Sequence, residues 1–513
     1  MKERYILTID VGTQSTRGII FDEEGNIIIK EKREYNPYFS EFPGHAEQDA
    51  LLYWDNICNI CRNLKYKNSR VFNEIIGITI TTMRNTVVLV DHEGIPLRPA
   101  ILWLDQRRAV KDEKLPFPYN LAVKAVKEEE MIRNFKKAFR WQWVKENEKE
   151  ISEKTYKYLM LSAYLNFKMT GRFIDSSASQ IGYIPFDFKR GKWASGNDIK
   201  KFVFNIDKEK LPILVTPGTL IGAINKDAAG ETGLSEGIPV IATGSDKGCE
   251  TLGTGCLNSH TGNISLGSAV TIQTMIDKYI EIHPFFPSYP SVMPGKYNPE
   301  VQINRGYWMV RWFKNEFAEK EMQESMKKDI PVEVLLNNLL ENVSPGSDGL
   351  LLQPYWGGEL KDPLAKGAVI GFTEIHTRAH LYRAIIEGIN FAVLHGIESI
   401  EKKTGRRMKY LAISGGGSQS DNICQITADM MGRNVYRVQT FETSGLGAAV
   451  AGFKALGIFE TYEDAVNHMV FRQASFQPNH TNTIIYKKLY SVYKKIYPNL
   501  KKLYSEIDSI IKK

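Results

Sequence analysis

Short apolar blocks separated by polar turns open the chain, and they predict strands at 5–10, 17–22, 26–34, 75–80 and 86–91. After a turn at Pro43-Gly44, the spacing of apolar residues over His45–Cys61 predicts a helix. Helical periodicity dominates 131–170 and closes on Gly171, a glycine in C-cap position. Residues 211–246 return to turn and strand signals and end in Ile-Pro-Val-Ile-Ala-Thr-Gly-Ser-Asp. Pro284, Pro287, Pro290, Pro294 and Pro299 make 284–299 a loop or an extended segment, because proline removes backbone donors. Residues 410–438 read as strand (410–414), glycine turn (Gly415-Gly416-Gly417), helix (about 420–431), Gly432 cap and strand (434–438). A helix of small residues follows at 443–456, where glycine and alanine permit close backbone approach. Near the C-terminus Ile485, Leu489, Ile496, Leu500, Leu503, Ile507 and Ile510 recur as one helical face, with Pro498 expected to break or kink it.

One pattern occurs twice. Residues 6–22 run strand, hydroxyl-rich glycine turn, strand, and residues 263–274 repeat that grammar around Gly267-Ser268. The repeat suggests two halves of related architecture facing a shared cleft.

The first of these turns carries chemistry. A strand delivers Asp10 to a turn with Gly12, Thr13, Ser15 and Thr16, and Arg17 follows. Backbone N–H groups and hydroxyls there can meet phosphate oxygens, and Arg17 can neutralise their charge. Asp10 would repel a phosphate unless a metal stands between them, so the turn suits a Mg²⁺-nucleotide. Taken alone, an ordinary polar hairpin explains the same residues equally well.

Composition narrows the setting. The 513 residues suffice for two to four domains, and 43% apolar and 24% charged content is ordinary for a globular protein. The formal charge of +7 is small for this length and gathers late, in Lys-Lys pairs at 487, 494, 501 and 512. These are expected to be the solvated face of a terminal helix, with no nucleic-acid partner implied. Five cysteines give no disulfide framework, and Cys58-x-x-Cys61 lies in an amphipathic segment, as core cysteines do. No stretch reaches the ~18 apolar residues of a membrane span, and Met-Lys-Glu-Arg leads straight into a strand without room for a signal peptide. The expectation is a cytoplasmic protein with no membrane partner.

With these segments in order, residues 4–460 resemble the FGGY family of carbohydrate kinases, within the actin/hexokinase/sugar-kinase superfamily. The resemblance rests on Asp10–Arg17, Pro43-Gly44-His45-Ala46-Glu47-Gln48-Asp49, Gly77-Ile78-Thr79 through Leu97–Arg107, Gly244-Ser245-Asp246, Ser265-Leu266-Gly267-Ser268, Ser414–Gly417 and Glu442-x-x-x-x-Gly447-Ala448-Ala449. It implies an α/β fold of two ribonuclease-H-like domains around a central ATP and sugar cleft. The expected units are an N-terminal kinase domain (1–255), a C-terminal kinase domain (256–460) and a helical extension (461–513). It also implies γ-phosphoryl transfer from ATP, with Mg²⁺, to a hydroxyl of a small sugar or polyol. Dimers are common in the family, and no residue here argues for one.

The resemblance assigns roles residue by residue. Asp246 resembles the general base. Asp10 would orient Mg²⁺, while Thr13, Ser15 and Arg17 hold phosphates. Gly267 and Ser268 would supply the opposing phosphate contact. Gly416, Gly417, Ser420 and Gly306 would line the nucleoside side. On the acceptor side stand Arg84, Asn85, Trp103, Asp105 and Asp246. Glycerol kinases carry Arg-Glu after the Gly-Ile-Thr strand and xylulose kinases Met-His; here Met83-Arg84-Asn85 matches neither in full. Lys247 departs from the family's usual Gln, and it would contact an acidic acceptor or lower the pKa of Asp246. A ketopentose such as xylulose is the expected acceptor, with glycerol, erythritol or another ketose as the alternative. An ATPase switch or a sugar sensor on the same fold would share the hairpins. The first would not need Asp105-Gln106-Arg107, and the second would be expected to lose Asp10, Arg17 or Asp246.

Overall fold

The computed structural model describes residues 3–111, 114–125, 128–356 and 364–511. Lys512 and Lys513, the last of the lysine pairs, lie outside them.

Two six-stranded sheets of the same design carry the molecule. The first contains β1 (Tyr5–Val11), β2 (Ser15–Phe21), β3 (Ile27–Glu34), β4 (Ile75–Thr82), β5 (Leu220–Ala223) and β6 (Pro239–Ile241), in the order β5-β6-β4-β1-β2-β3. The second contains β7 (Thr261–Leu266), β8 (Val270–Thr274), β9 (Glu300–Ile303), β10 (Tyr410–Ser414), β11 (Asn434–Val438) and β12 (Arg472–Phe476), in the order β9-β8-β7-β10-β11-β12. In each, three antiparallel strands lead into two parallel ones, and an antiparallel edge strand closes the far side. The edge strand comes before its neighbour in the first sheet and after it in the second. So the stretch expected as a purely helical extension also contributes β12 to the second sheet.

Alternation explains how the first sheet is covered. Tyr5, Leu7, Ile9, Val11, Ile78 and Ile80 face one way, onto α1 (Ala50–Lys67). Ile6, Ile19 and Phe21 face the other way. There they meet α5 (Thr443–Ala455), a helix from the far end of the chain. Its Gly445 lies against Ile19 and Phe21, and its Gly452 against Ile6 and Thr79. The second sheet buries Ile264, Leu266, Val270, Ile272, Leu411 and Ile413 under α3 (Arg378–Thr404) and α4 (Asp421–Met431). Its other face is polar yet buried, with Asn263, Ser265, Thr271, Gln273 and Ser414 all at most 2% exposed. That face receives α2 (Asp246–Gly253) through hydrogen bonds of Lys247 and Glu250 to Ser265 and of Thr251 to Gln273. Each sheet is therefore covered on its inner side by the helix that follows the last parallel strand of the other sheet.

Several local expectations change. The helix expected from His45 starts at Ala50, because Asp49 caps it by accepting the Leu51 N–H at 2.9 Å, and Glu47-Gln48 pair as a strand. The segment 131–170 breaks into helices around the strand Lys157–Met160, closed by left-handed Gly171 (φ 72°). The last helix, α6 (His480–Ile511), continues past Pro498. Its buried stripe is Tyr486, Tyr490, Tyr493, Ile496 and Tyr504, while Leu503, Ile507 and Ile510 are exposed. Of the aliphatic face, Ile496, Leu489 and Leu500 pack on the core, but tyrosines, with a large apolar body and a polar tip, make most of the buried stripe. Tyr486 donates to Glu387 at 2.7 Å and Tyr490 to Glu398 at 2.8 Å. Cys58 and Cys61 are free and buried on α1. No helix among the described residues is long and apolar enough to cross a membrane.

Candidate active site

The two hairpin turns and the start of α2 meet in the cleft between the sheets. In the first hairpin, antiparallel register sets Asp10 opposite Arg17, so both side chains project from the same face. Arg17 Nη1 lies 3.2 Å from Asp10 Oδ2, and its Nε lies 3.5 Å from Glu442 at the start of α5. Lys30 holds the other Glu442 oxygen at 2.8 Å. Ser15 shares the parity of Arg17 and is buried at the turn. The turn is braced from behind. Tyr35 donates to the Gly12 carbonyl at 2.7 Å, Gln48 to the Thr13 carbonyl at 3.1 Å, and Trp103 Nε1 to Thr13 Oγ1 at 2.9 Å.

Burial raises the Asp10 carboxyl to about 6; Arg17 opposes that rise, and Asp246 and Glu442 add to it. Asp10, Asp246 and Glu442 thus share one electrostatic neighbourhood. Among the described residues no group of three His, Cys, Asp or Glu side chains could hold a metal ion. A single carboxylate in an acidic neighbourhood fits Mg²⁺, which keeps most of its waters and takes its remaining ligands from phosphates. Because the folded-state pKa is raised, protonated Asp10 favours the fold. The stability it contributes is complete below the ordinary carboxyl range and is lost as pH rises through about 6. Bound Mg²⁺-nucleotide would relieve the ionised form. The increase in Tm on adding MgATP is therefore expected to be several degrees larger at pH 7.5 than at pH 5, by scanning calorimetry; an equal increase at both would contradict it.

The second hairpin turns at Gly267 and Ser268. Their carbonyls accept the N–H groups of Tyr307 at 3.0 Å and Trp308 at 3.2 Å. Gly306 is packed against Val270, where a side chain would overlap the strand, so it supports the hairpin. Gly415 (φ +77°) closes β10 against the same hairpin; a Cβ there would stand 2.8 Å from the Leu266 carbonyl. Gly416 faces open space. Gly417 does not, since the Tyr307 ring fills the place of its side chain. Ser420 caps α4 by accepting the Ile423 N–H at 3.3 Å.

Asp246 opens α2 without capping it. Ser245 is the N-cap and accepts the Gly248 N–H at 3.3 Å, which leaves Asp246 as the first helical residue. Thr81 anchors the preceding turn by donating to the Gly244 carbonyl at 3.0 Å. The Asp246 side chain keeps 28% exposure, and its Oδ1 accepts the Lys247 N–H at 2.8 Å. Burial raises its pKa against the pull of Lys247 and Arg84.

The cations beside it are engaged. Lys247 Nζ is 2.7 Å from Glu250 and 2.6 Å from Ser265 Oγ. Burial lowers its pKa, but Glu250 and Asp246 outweigh that and keep it raised. Its charge acts on Asp246 as expected, while its ammonium is turned to the second sheet. Arg84 Nε stands 4.0 Å from Asp246, and its Nη1 meets both oxygens of Glu300 at 2.9 Å. Arg84 Nη2 donates to Gln302 at 3.1 Å, and the guanidinium lies 5.6 Å from the Tyr289 ring centroid. Glu300, Gln302 and Tyr289 went unread in the sequence. Asn85 adopts φ 51°, a conformation asparagine tolerates, and donates its N–H to Ile181 at 3.0 Å.

Asp105 is corrected from a substrate contact to a structural one. Its side chain is fully buried, accepting the Ala46 N–H at 2.8 Å and Arg107 Nε at 2.9 Å, while Arg107 also pairs with Glu47. It joins the Pro43–Asp49 segment to the 103–107 turn. Asp105→Asn is expected to cost about 2 kcal/mol of stability by removing a charge-assisted bond to Arg107, with less than a threefold change in acceptor KM. A large KM change at unaltered Tm would restore the substrate role.

Paired glycine-hydroxyl turns on twin sheets, with a part-exposed carboxylate at the start of α2, suit a phosphotransferase with an alcohol as acceptor. The chain matches the models for the FGGY family of carbohydrate kinases, N-terminal domain over residues 5–253 and C-terminal domain over residues 262–456. It belongs to that family and is a carbohydrate kinase. It is 27% identical over 493 residues to a xylulose kinase of Lactococcus lactis, covering 95% of each chain. Two solved structures from Lactobacillus acidophilus, a gluconate kinase and a ligand-bound xylulose kinase, each superpose with TM-score 0.82 at 21% identity, covering 98% of this chain and all of theirs.

Proposed function

We propose that this kinase transfers the γ-phosphoryl group of ATP to a hydroxyl of a small sugar or polyol, a ketopentose such as xylulose being the favoured acceptor. The observation that carries the reading is Asp246: an uncapped, part-exposed carboxylate at the start of α2, electrostatically coupled to Asp10 of the phosphate turn. Asp246 orients the acceptor hydroxyl and takes its proton as the bond to phosphorus forms. Arg17 and the N–H and hydroxyl groups of Thr13 and Ser15 hold phosphate oxygens from one side. Gly267 and Ser268 hold them from the other. Asp10 would hold Mg²⁺ through its waters, and the ion would neutralise phosphate charge. The nucleoside lies toward Gly416 and the start of α4. The acceptor is packed by Trp103 and bonded by Arg84 and Asn85 beside Asp246. The L. lactis relative named a xylulose kinase supports the ketopentose.

The test is ATP consumption measured against ketopentoses, polyols and sugar acids with Mg²⁺ present. Turnover with a ketopentose is expected, and turnover with none of them would overturn the reading.

A further inference from the structure

The two halves exchange charge at one point beside the base, and the pattern there bears on the acceptor. Two cations, Arg84 and Lys247, flank Asp246. Each is met by a glutamate: Glu300 on Arg84 from β9, and Glu250 on Lys247 from α2. The Glu300 and Glu250 side chains are each only 4% exposed, so solvent screens neither pair strongly. Cross-strand register places Gln273 opposite Glu300, and the Gln273 amide donates to it. Gln302 takes a second edge of the Arg84 guanidinium, Tyr289 covers its face, and Asp246 lies off its Nε.

We infer that Glu300, acting through Arg84 and seconded by Glu250 on Lys247, makes the acceptor pocket select neutral sugars and reject sugar acids. This rests on the reading above that the acceptor hydroxyl meets Asp246 beside Arg84. Three carboxylates, Asp246, Glu250 and Glu300, surround two cations, so an anionic acceptor entering here meets net negative charge and cations already bonded. A sugar hydroxyl has no such difficulty. It can accept a remaining Arg84 N–H and donate to Asp246. The overall fold does not decide the matter, since proteins named for xylulose and for gluconate superpose equally well on this chain. The local charge pattern does. Glu300 is thus a positioning and specificity residue that need not touch the acceptor.

The test uses the full chain with MgATP and measures kcat/KM for D-gluconate and for the best neutral acceptor among ketopentoses and polyols. The unaltered protein is expected to favour the neutral acceptor by about a hundredfold or more. Glu300→Gln keeps the size and one acceptor oxygen while releasing the Arg84 charge. It is expected to raise the gluconate-to-neutral ratio about tenfold. A merely structural defect would lower both values and leave the ratio in place. Glu250→Gln is the second variant, expected to shift the ratio in the same direction through Lys247 if Glu300→Gln does not fold. A preference of the unaltered protein for gluconate, or an unchanged ratio in the folded variants, would overturn the inference and leave the kinase reading standing. Turnover of neither class would overturn that reading, and the inference with it.

Discussion

Asp246→Asn keeps the fold and loses about a thousandfold in kcat, the scale of a positioned general base. The fold survives because Ser245 caps α2 and Thr81 anchors the turn before it, so the carboxylate carries little structural load. Removing it even relieves repulsion with the Asp10 and Glu250 carboxylates. Turnover falls because an amide can orient a hydroxyl but cannot accept its proton at neutral pH. KM for ATP is expected to change less than fivefold, since Asp246 does not hold phosphate. Steady-state kinetics with a coupled ADP assay and a thermal melt read both halves of this result. Near-parent kcat in the folded variant would remove Asp246 from the mechanism.

Gly447→Ala loses about 3 kcal/mol of stability, the upper range for overpacking, and with it most activity at 37 °C. On α5, a Cβ at Gly447 would stand 1.8 Å from the Cys249 carbonyl oxygen of α2, and one at Gly253 would stand 2.0 Å from the Thr443 carbonyl. The obstacle in both cases is backbone, which has no rotamer to yield. The two helices touch main chain to main chain where the halves join, so separating them also moves Asp246 relative to the phosphate turns. A thermal melt of the apo protein is the measurement, and an unchanged Tm would mean the helices separate freely. Gly457→Ala serves as the control: φ +74° brings its own backbone strain, but nothing lies within 4 Å of its Cβ, so the loss there is expected to be smaller.

Much of this was legible in the residues. The hairpin at 10–17, its repeat at 264–272 and the strand-turn-helix at 410–438 are local patterns whose turns and strand parity are written in neighbouring residues. Asp10 opposite Arg17 follows from hairpin register alone. Long-range pairing was not legible. Glu300 sits in Glu-Val-Gln-Ile, an unremarkable strand, and gains meaning only because its edge strand faces Arg84, 216 positions earlier. Asp105 looked like a free carboxylate beside a tryptophan until Ala46 and Arg107 closed on it. At Gly306 and Gly417 the place of a side chain is taken by Val270 and by Tyr307, neighbours that no local pattern announces. In each case a neighbour distant in sequence decided the role, and periodicity and turn chemistry carry no information about it.

The exchange of inner helices also bears on how the polypeptide is made. The first sheet can be complete once residue 241 has left the ribosome, but one of its faces, with Ile6, Ile19 and Phe21, lacks the α5 part of its cover until that helix is synthesised. At ordinary elongation rates that leaves the face without this helix for roughly ten seconds or more. A product truncated between the halves would keep that sheet face without the helix that packs on it in the complete chain.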